Sequence, residues 1–375
     1  MKRILSLLLL TALLLFAGCS RYGPEEQLLC VVLGVDLAEN GQIVLTVKSP
    51  TYAEKGASSD PSGASGRYMT LAAQGDSLPE MLVLLRAASP RTLSYAQTRA
   101  IWVSQQALRA HPELLDELDK TAGMRVQAAM IVCRESVGSI IRDLEPDIGT
   151  RLSRSLDATL QSSSRKGIIP YTSLHAARSL SQDPGQDALL ILAATAQDVA
   201  LPALSGQAMD GLAGQLPEKT SEQVDYMGAA ALDGRTLSGF LTGFETSLCR
   251  FLQGGIVSIF LETSGGYVSL THRRPARLSL SGPLDAPVLC LSVSLNASPV
   301  MGANVTPAMI ETAFQEAAGA LMTHLRRIRC DALGFGALAA RRFARLEDWQ
   351  LFDWKAVYEK HTDVEITVRD AQTEP

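Results

Sequence analysis

The segment LLCVVLGV, residues 28–35, decides the start of the fold because it is almost continuously apolar and rich in valine. Such a run predicts a buried strand. Asn40-Gly41 follows, a dipeptide typical of a two-residue type I′ turn. Residues 42–48 then form the returning strand. The sequence therefore predicts an opening β-hairpin.

Strand and helix patterns alternate after this hairpin. Residues 53–67 are rich in Ser, Gly and Ala and predict a mobile loop, whereas Ser77 and Pro79 begin a segment with leucines at helical spacing. Further along the chain, strand patterns alternate with helix patterns at residues 99–103, 112–121, 126–133 and 137–144. This alternation predicts a βαβ unit with a parallel strand pair.

The second half of the chain predicts another mixed region. Apolar or alternating runs predict strands at residues 225–232, 237–241, 256–261, 267–270, 276–280, 288–295 and 364–368. Helices are predicted at residues 245–253, from Thr306-Pro307 to residue 329, and at residues 346–360. The predicted fold class is mixed α/β (α+β), with two to three mixed-sheet domains and helices packed on the sheets.

The domain division follows from changes in composition. Residues 1–18 are predicted to be a leader, and residues 19–180 an N-terminal α/β domain. Residues 181–222 contain several Pro and Gly turns and predict a connecting segment. Residues 223–375 then form a C-terminal α/β domain.

The N-terminus has the pattern of an export signal. Lys2 and Arg3 precede an apolar run at residues 4–16, which is too short for a stable membrane span. The run ends in Leu15-Phe16-Ala17-Gly18-Cys19, which resembles the lipobox of bacterial lipoproteins. That resemblance implies cleavage before Cys19 and a diacylglycerol on its thiol. The alternative is an ordinary secretory signal with an incidental cysteine.

Composition excludes several classes of protein. The full chain has 375 residues and a net charge of −5, so it lacks the basic surplus typical of nucleic-acid binding. Removing residues 1–18 takes away Lys2 and Arg3, which leaves 357 residues with a net charge of −7. With 46% hydrophobic and 19% charged residues, the chain is neither disordered nor a multi-span membrane protein.

Catalytic and metal-binding motifs are weak in this sequence. Residues 334–339, GFGALA, imitate a dinucleotide fingerprint, but a helix precedes them where that motif needs a strand. We therefore predict a tight turn with Phe335 packed inward. Cysteines other than Cys19 are predicted to be small buried side chains; they are Cys30, Cys133, Cys249, Cys290 and Cys330. No cofactor, metal site or catalytic residue is predicted, and the chain is not expected to be an enzyme.

Charged groups are predicted to be solvated. Asp116-Glu117-x-Asp119 is interpreted as an exposed helix face, and His324 as a surface group. The basic runs Arg326-Arg327-x-Arg329 and Arg341-Arg342-x-x-Arg345 are interpreted in the same way. For these runs, a contact with lipid headgroups or with an acidic partner remains the alternative.

Three segments together resemble the Ger(x)C family, the lipoprotein C subunits of spore germinant receptors. The first is QLLCVVLGVD at residues 27–36, although Tyr22 and Gly23-Pro24 stand where the family has a tryptophan and charged residues. The second comprises MGAAAL at residues 227–232, LSGFL at residues 237–241 and Glu245-Thr246. The third is DALGFG at residues 331–336, followed by Trp349 and Trp354.

The resemblance implies a non-enzymatic subunit that is anchored by lipid to the outer face of the spore inner membrane. It implies assembly with integral-membrane A-type and B-type receptor subunits that respond to nutrients. The turn at residues 334–336 and the basic run near Arg341 are candidate contact surfaces. The alternative function is a solute-binding lipoprotein of a transporter, because a lipobox fits both classes.

Overall fold

The computed structural model describes residues 26–51, 68–147, 149, 151–196, 209–215, 224–300, 304–360 and 362–373. Its strands are β1 (Gln27–Leu29), β2 (Val32–Leu37), β3 (Ile43–Pro50), β4 (Tyr68–Gly75), β5 (Thr92–Ser94), β6 (Ala100–Ser104), β7 (Ala129–Cys133), β8 (Leu189–Thr195), β9 (Val224–Asp233), β10 (Thr236–Leu241), β11 (Ser258–Thr263), β12 (Gly266–Ser281), β13 (Val288–Pro299) and β14 (Asp363–Thr373).

The helices are α1 (Leu78–Ala88), α2 (Gln105–Ala110), α3 (Leu114–Lys120), α4 (Val137–Asp143), α5 (Leu152–Arg165), α6 (Leu174–Ser181), α7 (Gly243–Leu252), α8 (Pro307–Arg327), α9 (Phe335–Ala340), α10 (Leu346–Leu351) and α11 (Trp354–Lys360). The mixed α/β class predicted from the sequence is confirmed. The predicted loop at residues 53–67 lies outside the described residues.

The larger sheet has the strand order β10-β9-β8-β7-β6-β2-β3-β4. Its centre is parallel, because β2 pairs with β6, β6 with β7 and β7 with β8 in the same direction. Antiparallel strands flank this centre on both sides. The predicted βαβ arrangement with parallel neighbours is therefore confirmed.

Helices cover both faces of this sheet. Strand β2 shows why, since alternate side chains enter opposite cores: Leu33 packs with α1, α2, α3 and α6, whereas Val32 packs with α4 and α5. A strand buried on both faces must be apolar at every position, which explains the unbroken run in the sequence.

The opening hairpin forms, but its turn differs from the prediction. Leu37 pairs with Ile43, and the N–H of Ala38 donates to the carbonyl of Gln42 at 2.8 Å. Residues 39–41 therefore make a three-residue loop, with Gly41 at φ 82°. This is a type I turn followed by a left-handed residue, the next most common hairpin solution after the two-residue turn.

The smaller sheet has the order β11-β12-β13-β14 and packs one face on α8. The two strands predicted at residues 267–270 and 276–280 are one strand, β12, because it continues through two register irregularities. The single helix predicted at residues 346–360 is two helices, α10 and α11, separated at Phe352-Asp353.

The large sheet continues past residue 222, where the composition changes. Strand β9 pairs with β8, so both β9 and β10 belong to this sheet. Ala230 and Leu232 enter the core on one face of β9, whereas Ala229 and Ala231 enter the core of the smaller sheet. The two sheets are therefore joined through one alanine-rich strand.

Candidate functional site

The first family-like segment fixes one helix end to the large sheet. The Asp36 carboxylate, at the end of β2, accepts hydrogen bonds from the Ser136 hydroxyl and from the Val137 N–H at 2.9 Å. These donors lie at the N-terminus of α4, where a negative charge is stabilised. A Cβ on Gly34 would lie 2.3 Å from Ile141 Cδ1. Glycine and aspartate at this spacing therefore let α4 pack closely on β2.

Lys48 binds the other end of the same helix. Its Nζ donates to the carbonyls of Arg142 at 2.9 Å and Leu144 at 2.5 Å, and the side chain is almost fully buried. Burial lowers the pKa of Lys48, although the nearby Glu145 and Asp143 oppose this effect. The sequence analysis missed this role, for which a lysine inside an otherwise apolar strand was the only signal.

The second family-like segment forms a bulge and a helix cap. Gly228 in β9 has φ 85°, and a Cβ there would lie 2.4 Å from the carbonyl oxygen of Leu241. Thr242 and Glu245 form a capping box at the start of α7. His324, predicted to be a surface group, is instead half-buried, with Nδ1 2.5 Å from the Glu245 carboxylate. Burial raises the pKa of Glu245, but the contacts with His324 and Thr242 outweigh it, so the pKa is lowered.

The third family-like segment is built around a buried carboxylate. Asp331 Oδ1 accepts from the N–H groups of Gly334 and Phe335, both at 3.0 Å. Oδ2 accepts from the Gly336 N–H at 2.6 Å and from Trp354 Nε1 at 3.0 Å. These contacts explain the spacing of the DALGFG motif, because the carboxylate stabilises the tight turn that starts α9.

Charged residues from the large sheet meet this turn. The Asp331 N–H donates to Asp187 Oδ2 at 2.6 Å, and the Lys355 ammonium also contacts Asp187. Lys355 lies 3.2 Å from Asp233 at the end of β9. We call the set Asp187, Asp233, Asp331, Trp354 and Lys355 the motif junction. It ties the turn at residues 331–336 and α11 to the start of β8 and the end of β9 in the large sheet.

The electrostatics of the motif junction depend on its burial. Burial, together with the nearby negative charge of Asp187, raises the pKa of Asp331 to about 6, although hydrogen bonds from Gly336, Trp354 and Phe335 lower it. For Lys355, burial lowers the pKa, but contacts with Asp187 and Asp233 outweigh it and the pKa is raised. The carboxylate of Asp331 is therefore ionised and Lys355 protonated at neutral pH. A paired buried charge of this kind positions segments and does not offer a free acid or base.

The pKa of Asp331 predicts a pH dependence of stability. Its folded-state pKa is above its ordinary value of 3.8, so the folded state holds more protons between pH 3.8 and about 6. The stability that Asp331 contributes should therefore fall as pH rises through this window. We expect the difference in unfolding free energy between wild type and Asp331→Asn to decrease from pH 4 to about 6 and then level off. Urea unfolding at several pH values measures this difference, and an opposite slope would contradict the prediction.

The predicted burial is confirmed for four of the five cysteines, and Cys290 is the exception. Four of the described thiols are buried, and Cys290 is half-buried. Burial raises the pKa of Cys30 and of Cys249 to about 12, and raises that of Cys133 and Cys330 as well. Such thiols are poor nucleophiles at neutral pH. Within the described residues, no group of His, Cys, Asp and Glu side chains could hold a metal ion.

Several predicted surfaces are corrected by the structure. Asp116 is buried and lies 3.2 Å from Arg178 and 3.0 Å from Arg235, so the acidic run is not simply a solvated face. The turn at residues 334–336 is buried, because Gly336 packs against Trp354. It cannot serve as a contact surface.

The basic runs divide into bound and exposed residues. Arg326 donates to the Tyr358 carbonyl at 3.2 Å, and Arg329 to Asp233 at 2.9 Å. Arg342 donates to the Gly282 carbonyl at 2.8 Å. Arg341 is exposed and stays a candidate contact residue.

The predicted lipid site lies outside the described residues, which begin at residue 26. Cys19 and the leader at residues 1–18 therefore have no structural description. In the part of the chain that the structure covers, no helix combines the length and the apolar character needed to cross a membrane.

Comparison with known proteins agrees with the resemblance seen in the motifs. Residues 24–194 match the model of the spore germination protein N-terminal domain. No curated protein matches the chain in sequence. The solved structure titled "Crystal Structure of the GerBC protein" is similar with a TM-score of 0.50 and 12% sequence identity, and the match covers 92% of this chain and 97% of that one.

These findings concern one domain and the overall fold. Residues 24–194 match a spore germination domain, and the fold of the chain is similar over nearly its full length to that of the solved GerBC protein. The match at residues 24–194, a little under half of the chain, supports the resemblance to the Ger(x)C family of spore germination proteins. The N-terminus of α4 and the motif junction are the places where the first and third family-like segments make their buried hydrogen bonds.

Proposed function

We propose that this protein is the lipid-anchored, non-enzymatic C subunit of a nutrient germinant receptor, located on the outer face of the spore inner membrane. It acts by assembling with integral-membrane A-type and B-type subunits. One observation carries the proposal: the spore germination domain begins at residue 24, directly after the lipobox cysteine Cys19. This arrangement gives the domain a membrane anchor with a short connection.

Physical chemistry favours the lipid as the main attachment. After cleavage the chain has a net charge of −7, so an anionic membrane surface would repel it as a whole. Each buried CH₂ group of a lipid chain contributes about 0.8 kcal/mol, and two chains give stable anchoring where one binds reversibly. The diacylglycerol proposed on Cys19 supplies two chains.

The chemistry of the described residues supports a role without catalysis. The motif carboxylates Asp36 and Asp331 accept hydrogen bonds from helix N-termini, and the motif glycines permit close packing. These groups maintain the shape of the protein and are not free to act on a substrate. A subunit of this kind functions through its surfaces.

Cys19→Ala tests the anchor. We expect this variant to move from the membrane pellet to the soluble fraction while keeping its fold, because only the lipid attachment is lost. Cys290→Ala is the matched control, since it removes a half-buried thiol from the body of the protein and should leave the chain in the membrane fraction. Full retention of Cys19→Ala in membranes would contradict lipid anchoring.

Deleting the gene in a spore former tests the receptor role. We expect spores to lose their response to one class of nutrient while still germinating with a non-nutrient trigger. Normal nutrient germination in a strain with no second copy would overturn the proposal. Thermal stabilisation of the purified protein by one small solute, without membrane subunits, would instead favour the solute-binding alternative.

A further inference from the structure

Three arginines lie together on the outward face of the smaller sheet. The inward face of β13 carries Leu289, Leu291 and Val293, which are buried against the helices. Because side chains alternate along a strand, Ser292 and Ser294 belong to the opposite face. There they line a small cavity of about 60 Å³ together with arginines from β12 and β14, namely Arg274, Arg277 and Arg369.

Strand register brings these side chains together. Arg274 pairs with Ser294, and Ser294 pairs with Arg369 on the other side, so the three residues form one cross-strand row. Arg277 pairs with Ser292 in the neighbouring row. Directly paired residues share a face and have Cβ atoms about 5 Å apart. The row is therefore a compact set of donors.

A bulge in β12 is what makes this set possible. Two arginines separated by three positions, such as Arg274 and Arg277, would point to opposite faces of a regular strand. The register shifts between these two residues, at Pro275 and Ala276, and this irregularity returns Arg277 to the face of Arg274. Because of this irregularity, the sequence alone does not predict that Arg274 and Arg277 lie on the same face of the sheet.

The arginine side chains and the Ser294 hydroxyl in this cavity have no salt-bridge or hydrogen-bond partner among the described residues. Among the described residues, no carboxylate forms a salt bridge with any of the three guanidinium groups. Ser294 is 8% exposed, and its buried hydroxyl makes no hydrogen bond to any described residue. An unsatisfied buried hydroxyl is costly and calls for an explanation. A bound group that accepts hydrogen bonds would satisfy it.

We propose that this cavity, the arginine notch (Arg274, Arg277, Ser292, Ser294 and Arg369), binds a phosphate group. Guanidinium forks match phosphate oxygens in geometry and charge, and the two hydroxyls add neutral donors. A cavity of about 60 Å³ holds a group of a few heavy atoms but not a larger ligand. The phosphate is either free in solution or the exposed headgroup of an anionic lipid. This site does not depend on the proposed receptor role.

Titration with inorganic phosphate tests the site. The mature protein is purified in a non-ionic detergent, and binding is measured by calorimetry in a phosphate-free buffer. We expect one saturable site, with affinity lowered about tenfold or more by Arg274→Gln and by Arg369→Gln, since each removes a charge-assisted contact. Ser294→Ala should weaken binding to a smaller extent.

Arg273→Gln is the matched control. Arg273 is the exposed neighbour of Arg274, carries the same charge and does not line the notch. The affinity of the Arg273→Gln variant for phosphate should stay within about twofold of wild type, as expected for a screened surface charge. Absence of saturable binding would overturn the proposal. An equal loss in Arg273→Gln and Arg274→Gln would also overturn it, because it would indicate attraction to net charge alone.

Vesicles distinguish the two sources of phosphate. The Cys19→Ala protein, which lacks the lipid anchor, is mixed with phosphatidylcholine vesicles with and without phosphatidic acid. If the ligand is a lipid headgroup, binding requires phosphatidic acid, is lost in Arg274→Gln and is reversed by inorganic phosphate. If only free phosphate binds, the titration is positive while both kinds of vesicle fail to bind. Either result supports the notch, whereas absence of saturable phosphate binding in the titration rejects it.

Discussion

Replacing Asp331 with alanine is expected to lower the free energy of unfolding by about 3–5 kcal/mol, the range for breaking a buried charged network. The substitution removes the acceptor of four hydrogen bonds: three from backbone N–H groups at residues 334–336 and one from Trp354 Nε1. All of these donors are buried, so water cannot replace the carboxylate without local opening.

Two further variants compare the loss of the Asp331 carboxylate with the loss of one of its donors and with the loss of an exposed carboxylate outside the motif junction. Trp354→Phe keeps an aromatic ring and deletes one donor, so we expect a smaller loss of about 1–2 kcal/mol. Asp348→Ala removes an exposed carboxylate from α10 and should change stability by less than about 1 kcal/mol. Urea unfolding followed by far-UV and near-UV circular dichroism measures all three. If Asp331→Ala unfolds as wild type does, the carboxylate does not hold the turn.

The secondary structure was largely predictable because it depends on local pattern. The run at residues 28–35 is apolar at both alternating sets of positions, which is sufficient to indicate a strand buried on two faces. The same reasoning located α1 and α8 through the prolines in their first turns and their periodic apolar residues, although the Ser77 side chain makes no capping hydrogen bond at α1. The hairpin was predicted correctly but the length of its turn was not, because Asn40-Gly41 suits both a two-residue turn and the three-residue turn that forms.

Local sequence pattern does not predict which strands pair with each other. The apolar strand β9 could pair with any sheet, and only the three-dimensional structure shows that it joins β8. The composition change near residue 222 marks a break in the sequence that is not a break between sheets. Strand β12 was divided in two because residues 272–276 interrupt its alternation, and a bulge is indistinguishable from a turn when the partner strand is unknown.

Only part of the motif junction could be predicted from the sequence. The DALGFG motif pointed to Asp331, but Asp187, which accepts from the Asp331 N–H, and Lys355, which contacts Asp187, lie 144 and 24 positions away and carry no motif of their own. No sequence pattern indicates the arginine notch, since its residues come from three strands and are brought to one face by a bulge. Residues whose role is set by register can be found only after the fold is known.

Gly228→Ala is expected to destabilise the protein by about 3–5 kcal/mol through two effects that add. The residue has φ 85°, and a side chain in such a conformation costs about 1–3 kcal/mol. A Cβ would also lie 2.4 Å from the Leu241 carbonyl oxygen, so β9 or β10 must shift, at a similar cost. The cause is a bulge, because Ile191 pairs with Ala229 while Ala193 pairs with Tyr226.

Gly138→Ala is the matched control with the opposite expected sign. This glycine lies in the first turn of α4, and the nearest atom to its added Cβ is Thr46 Oγ1 at 3.8 Å. Alanine should fit there and stabilise the helix by up to about 1 kcal/mol. Parallel thermal unfolding of both variants measures the contrast. Equal effects would show that the bulge in β9 tolerates a side chain, and that the glycine of the family-like MGAAAL segment is not required for the strand that joins the two sheets.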